Sequence, residues 1–218
     1  PAGVFNLVMG SGSVIGDPLV NHPGINAISF TGSQGVGARI AQQCAANLKK
    51  VQLEMGGKNP QIILDDADLA QAVELSVQSA FFSTGQRCTA SSRLIVTDGI
   101  YGKFVEAVQA RMATLKIGDA LAAGIDIGPV SSLSQLQQDL DYVAIGQAEG
   151  AQLAAGGTCL ERSTEGFYMA PALLLDTTSA MRINREEVFG PVASVIRVKD
   201  YEAALAESNN TPFGLSAG

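Results

Sequence analysis

The chain has 218 residues, of which 46% are hydrophobic and 16% charged, and its formal net charge is −7. This composition is typical of a globular protein of one or two domains and excludes an intrinsically disordered chain. The acidic balance argues against a nucleic acid partner, because phosphate binding needs a basic patch. No run reaches the roughly 18 apolar residues of a membrane span, so no membrane partner is expected.

The chain contains three widely spaced cysteines, Cys44, Cys88 and Cys159, and a single histidine, His22. This spacing gives neither a disulfide framework nor a CxxC metal site, and one histidine forms no ligand cluster. An odd number of cysteines without a secretory signal pattern is typical of a reduced compartment. We therefore expect a cytoplasmic protein with no metal site.

The first quarter of the chain alternates strand and helix. The predicted elements are a strand at 4–8, a helix at 17–21 after a glycine-containing loop, a strand at 26–30, a helix at 34–48 and a strand at 49–53. This β-α-β-α-β order predicts a parallel, doubly wound sheet.

A domain boundary is predicted at 54–59, where a Gly-Gly turn and Pro60 interrupt regular structure. Beyond it the alternation resumes, with strands at 60–64, 93–97, 152–155, 172–175 and 193–198 and helices at 69–81, 101–115, 131–149 and 200–208. We therefore predict an α/β fold with mostly parallel open sheets in two lobes, 1–53 and 54–218, the first of them incomplete.

Cys88 is the candidate nucleophile. It lies in the polar segment Gly85-Gln86-Arg87-Cys88-Thr89-Ala90, which is typical of an exposed loop. A free thiol has a pKa of about 8.5 and needs help from its surroundings to attack at neutral pH, help that the adjacent Arg87 would provide. The alternative is a small buried hydrophobe, the usual role of a free cysteine. Cys44 and Cys159 belong to no motif and are predicted to be structural.

Glu54 is the candidate general base. It ends a predicted strand just before Gly56 and Gly57, and strand ends beside a turn are where α/β proteins place catalytic groups. A carboxylate that activates water would complement a cysteine that attacks a carbonyl. From the residues alone, a solvated surface carboxylate is the competing interpretation.

The turn Gly32-Ser33-Gln34-Gly35-Val36-Gly37 joins a predicted strand to a predicted helix. Its glycines would let the backbone approach a phosphate at the helix N-terminus. The turn is not the GxGxxG dinucleotide fingerprint, and a lone glycine-rich turn is a weak signal. Glu187 and Phe189, taken by themselves, are equally compatible with a solvated charge and a core aromatic residue.

Four segments of the chain, in order and at characteristic spacings, resemble the aldehyde dehydrogenase superfamily. They are Phe30-Thr31-Gly32-Ser33, Leu53-Glu54-Met55-Gly56-Gly57-Lys58, Gly85-Gln86-Arg87-Cys88-Thr89-Ala90 and Glu186-Glu187-Val188-Phe189-Gly190-Pro191. The resemblance covers the whole chain. Since members of that family are longer at both ends, it implies a fragment without the N-terminal and extreme C-terminal parts. It also implies that 1–53 is the end of a dinucleotide-binding domain and that 54–218 is the catalytic domain.

The resemblance implies roles for eight residues. Cys88 would attack the aldehyde and form a thioester, and Glu54 would activate the water that hydrolyses it. The implied cofactor-binding residues are Thr31 near the nicotinamide, Gly32, Ser33 and Gly37 beneath the pyrophosphate, Glu187 on the nicotinamide-ribose hydroxyls and Phe189 beside that ribose. Gln135 and Gln138 occupy positions that in some relatives approach the same ribose. The Cys88 N–H would hold the oxyanion, with an asparagine from a segment outside this chain.

The implied cofactor is NAD or NADP. The choice between them stays open, because the strand end that reads the 2′ position of the adenosine ribose lies outside the chain. The implied substrate is a small aldehyde, and the motifs look most like those of 2-oxoglutarate semialdehyde dehydrogenases, with succinate semialdehyde dehydrogenases as close competitors. A carboxylated aldehyde would suit a site near Arg87. Two alternatives stay open, a coenzyme A-acylating relative and a non-catalytic protein of the same fold. Relatives form dimers or tetramers, which implies a homo-oligomer.

Overall fold

A computed structural model describes all residues, 1–218, and divides the chain into two compact units, Pro1–Gly56 and Gly57–Gly218. The first unit contains α1 (Gly12–Asn21), β1 (Ala27–Gly32), α2 (Gln34–Ala46) and β2 (Lys50–Met55). The strands β1 and β2 are parallel, as the predicted crossover through α2 requires. A small apolar core, centred on the buried residues Val20, Ile40 and Cys44, joins the two helices to the sheet.

Two predictions for the first unit are wrong. Residues 4–8 form no strand, and their apolar side chains are exposed. A strand persists only where its backbone groups find partners, and the sheet of this unit consists of β1 and β2 alone. The first helix begins at Gly12 and not at Asp17, because glycine costs a helix only about 1 kcal/mol relative to alanine and does not forbid it.

The second unit is a five-stranded sheet flanked by helices. Its elements are β3 (Asn59–Ile63), α3 (Leu69–Phe81), a 3₁₀ turn (Phe82–Gly85), β4 (Ser91–Thr97), α4 (Asp98–Met112), α5 (Leu133–Ala148), β5 (Gln152–Ala155), β6 (Ala172–Leu175), α6 (Arg182–Arg185), β7 (Val192–Val198) and α7 (Tyr201–Asn209). The strand order is β3-β4-β7-β6-β5, and only β5 runs antiparallel to its neighbour. The predicted α/β class with mostly parallel sheets is confirmed.

Both faces of this sheet are covered. Leu173 and Leu175 of β6 join the core formed with α3 and α4, whereas the alternate residues Ala172 and Leu174 join the core beside α5 and α6. This alternation is what a strand buried on both faces requires. None of the helices combines the length and the apolar composition needed to cross a membrane.

A fully buried arginine, Arg93 on β4, connects the β2–β3 turn to the end of α7. Its guanidinium donates hydrogen bonds of 2.9–3.0 Å to the backbone carbonyls of Lys58, Glu207 and Ser208. Two of these carbonyls belong to the last turn of α7, where helix carbonyls lack partners and favour a cation. The Glu207 carboxylate lies 3.6 Å away and supplies the opposite charge.

We predict that Arg93→Ala lowers the free energy of unfolding of the intact protein by about 3 kcal/mol or more, because three carbonyls lose their donor in a buried site. Chemical denaturation measures this loss. The matched control is Arg197→Ala, which removes an arginine whose side chain is 58% exposed and which pairs with Asp98 at the surface. That control should cost less than about 1 kcal/mol, and equal losses in the two variants would contradict the prediction.

Candidate active site

Thr31 and Glu54 lie side by side in the first unit. They are register partners at the carboxyl ends of the parallel strands β1 and β2. Phe30 and Leu53, one residue earlier on each strand, pack against the core beneath α1 and α2. Because side chains alternate along a strand, Thr31 and Glu54 project from the opposite face, and both are exposed. The candidate base and the residue expected near the nicotinamide are therefore neighbours.

The turn between β1 and α2 leaves an open helix N-terminus. Ser33 is the N-cap of α2, but its side chain makes no capping hydrogen bond. Gly37 is buried in the first turns of the helix, and a Cβ atom there would lie 2.6 Å from the Met55 sulfur. A Cβ atom on Gly32 would lie 2.5 Å from the Phe30 ring. A side chain at Gly32 would collide with the Phe30 ring, and one at Gly37 would require Met55 to move. The free N–H groups of α2 suit an anion.

Cys88 lies in the second unit, on an exposed turn between the 3₁₀ turn and β4. The side-chain amide of Asn59, at the start of β3, donates to the carbonyl of Cys88 at 2.7 Å and to that of Ala90 at 3.0 Å. Asn59 is only 3% exposed. This buried amide holds the backbone from Cys88 to Ala90, while Cys88 itself remains exposed.

The segment before Cys88 has an unusual backbone. Ser83, Thr84 and Gly85 all have positive φ, at 56°, 55° and 64°, a conformation that costs non-glycine residues about 1 kcal/mol or more each. Gln86 holds this segment to Ser131, just before α5. The Gln86 side-chain carbonyl accepts from the Ser131 N–H at 3.0 Å, and the Gln86 side-chain NH₂ group donates to the Ser131 hydroxyl at 2.9 Å.

Arg87 faces the end of α3. One terminal guanidinium nitrogen donates to the carbonyls of Gln78 and Ser79, both at 2.9 Å, and the Arg87 Nε is buried without a partner. A cation at the carboxyl end of a helix is favourable. These contacts do not support the expectation that Arg87 takes up a substrate carboxylate, since its charge already serves the helix.

The other two cysteines lie outside the thiol loop, residues 82–90. Cys44 is fully buried in the core of the first unit, in agreement with a structural role. Cys159 is exposed and forms an isolated β-bridge with Met169. No group of three or more histidine, cysteine, aspartate or glutamate side chains is arranged to hold a metal ion.

Glu187 and Phe189 follow α6 on the Glu187 segment, residues 187–190. This segment contacts the thiol loop through Gly85 and Gly190. The Glu187 carboxylate accepts a hydrogen bond of 3.1 Å from the Gly57 N–H. Burial raises the pKa of Glu187, while this hydrogen bond and the charge of Lys58 act in the opposite direction. Phe189 has a φ of 59° and a side chain that is 39% exposed. The second carboxylate oxygen of Glu187 therefore has no protein hydrogen bond, and Phe189 is partly exposed.

The thiol loop and the Glu187 segment meet at two glycines. A Cβ atom on Gly85 would overlap the carbonyl of Gly190, so only glycine permits this approach. The cleft beside the contact is lined by Gly57, Gly85, Arg87, Glu187, Phe189 and Gly190. Glu187 and Phe189 therefore line this cleft together with Arg87, the residue before Cys88, in the second unit. Thr31, Gly32, Ser33, Gly37 and Glu54 lie in the first unit, around the turn between β1 and α2 and near the end of β2.

Lys58 is buried between these elements. Burial, and to a lesser extent the charge of Arg93, lowers the pKa of its amino group to about 7, although the nearby carboxylates of Glu187 and Glu186 oppose the shift. The residue is 1% exposed. It thus supplies a buried amine whose charge is sensitive to the two glutamates.

Gln135 and Gln138 of α5 support the Glu187 segment. Both side-chain amides donate to the Val188 carbonyl, at 3.0 and 2.8 Å. Sequence reasoning missed two further residues, Asn59 and the buried Asp139 of α5. The available signal for Asp139 was its position, because a carboxylate occurs there within the apolar spacing of Leu136 and Val143.

Comparison with known proteins gives a consistent result. The model of the aldehyde dehydrogenase family matches residues 1–218. The alpha-ketoglutaric semialdehyde dehydrogenase of Bacillus subtilis is 49% identical over the whole chain, and the NADP⁺ succinate-semialdehyde dehydrogenase of Escherichia coli is 41% identical. Each match covers 45% of the relative, so the chain spans about half the length of these curated relatives.

Solved structures agree. The crystal structure of betaine aldehyde dehydrogenase from Staphylococcus aureus in complex with NAD⁺ matches with a TM-score of 0.94 and 36% identity, over 97% of this chain and 42% of that one. Lactaldehyde dehydrogenase from Escherichia coli matches with a TM-score of 0.93 and 38% identity, over 99% of this chain and 45% of that one. With a family model matched over its full length, the chain belongs to the aldehyde dehydrogenase family.

Proposed function

We propose that the intact protein oxidises an aldehyde to a carboxylic acid with NAD⁺ or NADP⁺, using Cys88 as nucleophile and Glu54 as general base. The observation that carries the proposal is the way in which Cys88 is held. Its backbone carbonyl is held by a buried amide, the residue is exposed, and its loop contacts the Glu187 segment through Gly85 and Gly190. A nucleophile needs this combination of fixed position and open approach.

The residues present fit a dinucleotide. Glu187 keeps one carboxylate oxygen free to accept a ribose hydroxyl, and the exposed ring of Phe189 offers an apolar surface beside it. The uncapped N-terminus of α2, with Gly32 and Ser33 before it and Gly37 within it, suits a pyrophosphate. Thr31 would lie near the nicotinamide. When bound, NAD(P)⁺ supplies the hydride acceptor.

In the proposed reaction the Cys88 thiolate adds to the aldehyde carbon and forms a carbon–sulfur bond, and the oxygen becomes an oxyanion stabilised by the Cys88 N–H. Loss of hydride from this adduct leaves a thioester on Cys88, two electrons more oxidised than the aldehyde. Glu54 then takes a proton from water, which attacks the thioester carbon. The carbon–sulfur bond breaks, and the carboxylic acid and the thiol are released.

We also propose a small acidic semialdehyde as the substrate, with 2-oxoglutarate semialdehyde first and succinate semialdehyde second. The support comes from two relatives whose names state such substrates, at 49% and 41% identity. The carboxylate would be bound by residues other than Arg87, whose guanidinium is engaged by α3. The intact protein is proposed to act as a homo-oligomer in the cytoplasm.

We predict that Glu54→Gln separates the two halves of the reaction. Mixing with aldehyde and cofactor should release about one equivalent of reduced cofactor rapidly, while steady-state turnover falls by about 10²–10⁴-fold, the usual contribution of a general base. Stopped-flow absorbance measures both quantities. Asp66→Asn removes an exposed carboxylate outside the site and should leave turnover unchanged. Unimpaired turnover of Glu54→Gln would refute the assigned role.

The nucleophile has its own control. Cys88→Ser should lose turnover and burst together, whereas Cys159→Ser, at the other exposed cysteine, should retain both. Product analysis with and without coenzyme A separates hydrolysis from acyl transfer. Release of free acid in both conditions supports the role of Glu54, and an acyl-coenzyme A product would favour the acylating alternative.

We predict that kcat/KM for succinate semialdehyde exceeds that for butanal, which has the same number of carbons, by about tenfold or more, because charge-assisted hydrogen bonds to a carboxylate contribute about 1.5–3 kcal/mol. 2-Oxoglutarate semialdehyde and pentanal form the longer matched pair. Each assay is run with NAD⁺ and with NADP⁺. Equal turnover of neutral and acidic aldehydes would eliminate the substrate proposal.

A further inference from the structure

Asp139 is a buried carboxyl group to which the proposed reaction assigns no role. It lies on α5 with 0% exposure. Its Oδ1 accepts a hydrogen bond of 2.8 Å from the Gln135 amide, and its Oδ2 is buried without a partner. A buried carboxyl with an unsatisfied oxygen costs free energy. Asp139 nevertheless lies on the buried face of α5, beside the apolar residues Leu136 and Val143.

The carboxyl group lies directly beneath the Glu187 segment. A Cβ atom on Gly190 would overlap the carboxyl of Asp139, so the two groups are in close contact. The Gln135 amide that donates to Asp139 also donates to the Val188 carbonyl, at 3.0 Å. Val188 stands between the two residues proposed to bind the ribose. Asp139 therefore contacts one of the two glutamine side chains that hold the centre of this segment.

We propose that Asp139 positions the 187–190 segment for the cofactor by holding the Gln135 amide against it. A free glutamine amide has several rotamers of similar energy, and an acceptor on its far side selects the one that reaches Val188. The contact with Gly190 fixes the other end of the segment. This inference rests on the proposed cofactor site, whose ribose contacts are Glu187 and Phe189.

The surroundings of Asp139 contain few charges. The elements packed against α5 are α6, β5 and β6, and their charged side chains are Arg182 and Arg185, followed by Glu186 and Glu187 on the segment above. Burial raises the pKa of Asp139 to about 7, and the Gln135 hydrogen bond opposes the rise. Raising the pH through this value would place an uncompensated charge beneath Gly190 and loosen the segment.

The chain supplies a matched control on the same helix. Asp141 accepts a hydrogen bond of 2.8 Å from Gln137, with the same four-residue spacing as the pair of Gln135 and Asp139, but on the exposed side of α5. Asp141→Ala removes the same kind of pair without touching the 187–190 segment. Any general effect of losing such a pair on helix stability is therefore measured separately.

The first test uses the intact protein without cofactor. Hydrogen–deuterium exchange of residues 187–190 should accelerate by about fivefold or more in Asp139→Ala and in Gln135→Ala, and not in Asp141→Ala. Gln135 is only partly buried, so its variant keeps the test available where Asp139→Ala fails to fold. The double variant should be no worse than either single variant, since the two residues act as one unit. Unchanged exchange in these variants would overturn the inference.

The second test measures binding of reduced cofactor by nicotinamide fluorescence. Asp139→Ala should raise the Kd by about tenfold, and Asp139→Asn, which keeps the acceptor oxygen, should restore most of the affinity. Between pH 6 and pH 8.5 the wild type should lose more affinity than Asp139→Asn, which cannot ionise. If Asp139→Ala bound the cofactor as tightly as the wild type, the inference about Asp139 would be overturned but the proposed function would stand. If the wild type bound no cofactor, both would be overturned.

Discussion

The buried side chain of Asn59 is the contact on which the geometry of the thiol site depends. One amide group joins the carbonyls of Cys88 and Ala90 to the first residue of β3. Two neighbouring carbonyls can share one amide only if the chain between them turns sharply, so this bond pair specifies the turn that exposes the thiol. Without it the carbonyls of Cys88 and Ala90 would lose the donor that they share.

Three further contacts bring other segments to this turn. Gly57, two residues before Asn59, donates its N–H to Glu187, and Gly85 packs against the carbonyl of Gly190. Gln86 connects the same loop to the start of α5. Only glycine fits at the contact of Gly85 with Gly190, and Gly57 binds Glu187 through its backbone N–H. Backbone groups therefore position much of the Glu187 segment. The thiol loop and the proposed ribose segment are consequently held by a shared set of short connections.

Much of the fold was predictable from sequence, because apolar periodicity and turn residues agree along most of the chain. The strands at 152–155 and 172–175 and the helix from Leu69 to Phe81 have the predicted bounds. The strand predicted at 4–8 is wrong because a short apolar run cannot reveal whether a pairing partner exists. The motifs identified Cys88 and Glu54 as candidates, yet the roles of Asn59 and Asp139 could not be predicted. Each acts across at least 29 residues of sequence, on Cys88 and on Val188 and Gly190, and no local pattern encodes such contacts.

The central claim is that Cys88 carries an acyl group that water must remove. Its most direct measurement is peptide mass spectrometry of Glu54→Gln protein, quenched in acid after mixing with aldehyde and cofactor. The account predicts that the peptide containing Cys88 gains the mass of the acyl group less one hydrogen, in proportion to the reduced cofactor formed. Reduced cofactor without any acyl adduct, or an adduct on Cys44 or Cys159 instead, would contradict it.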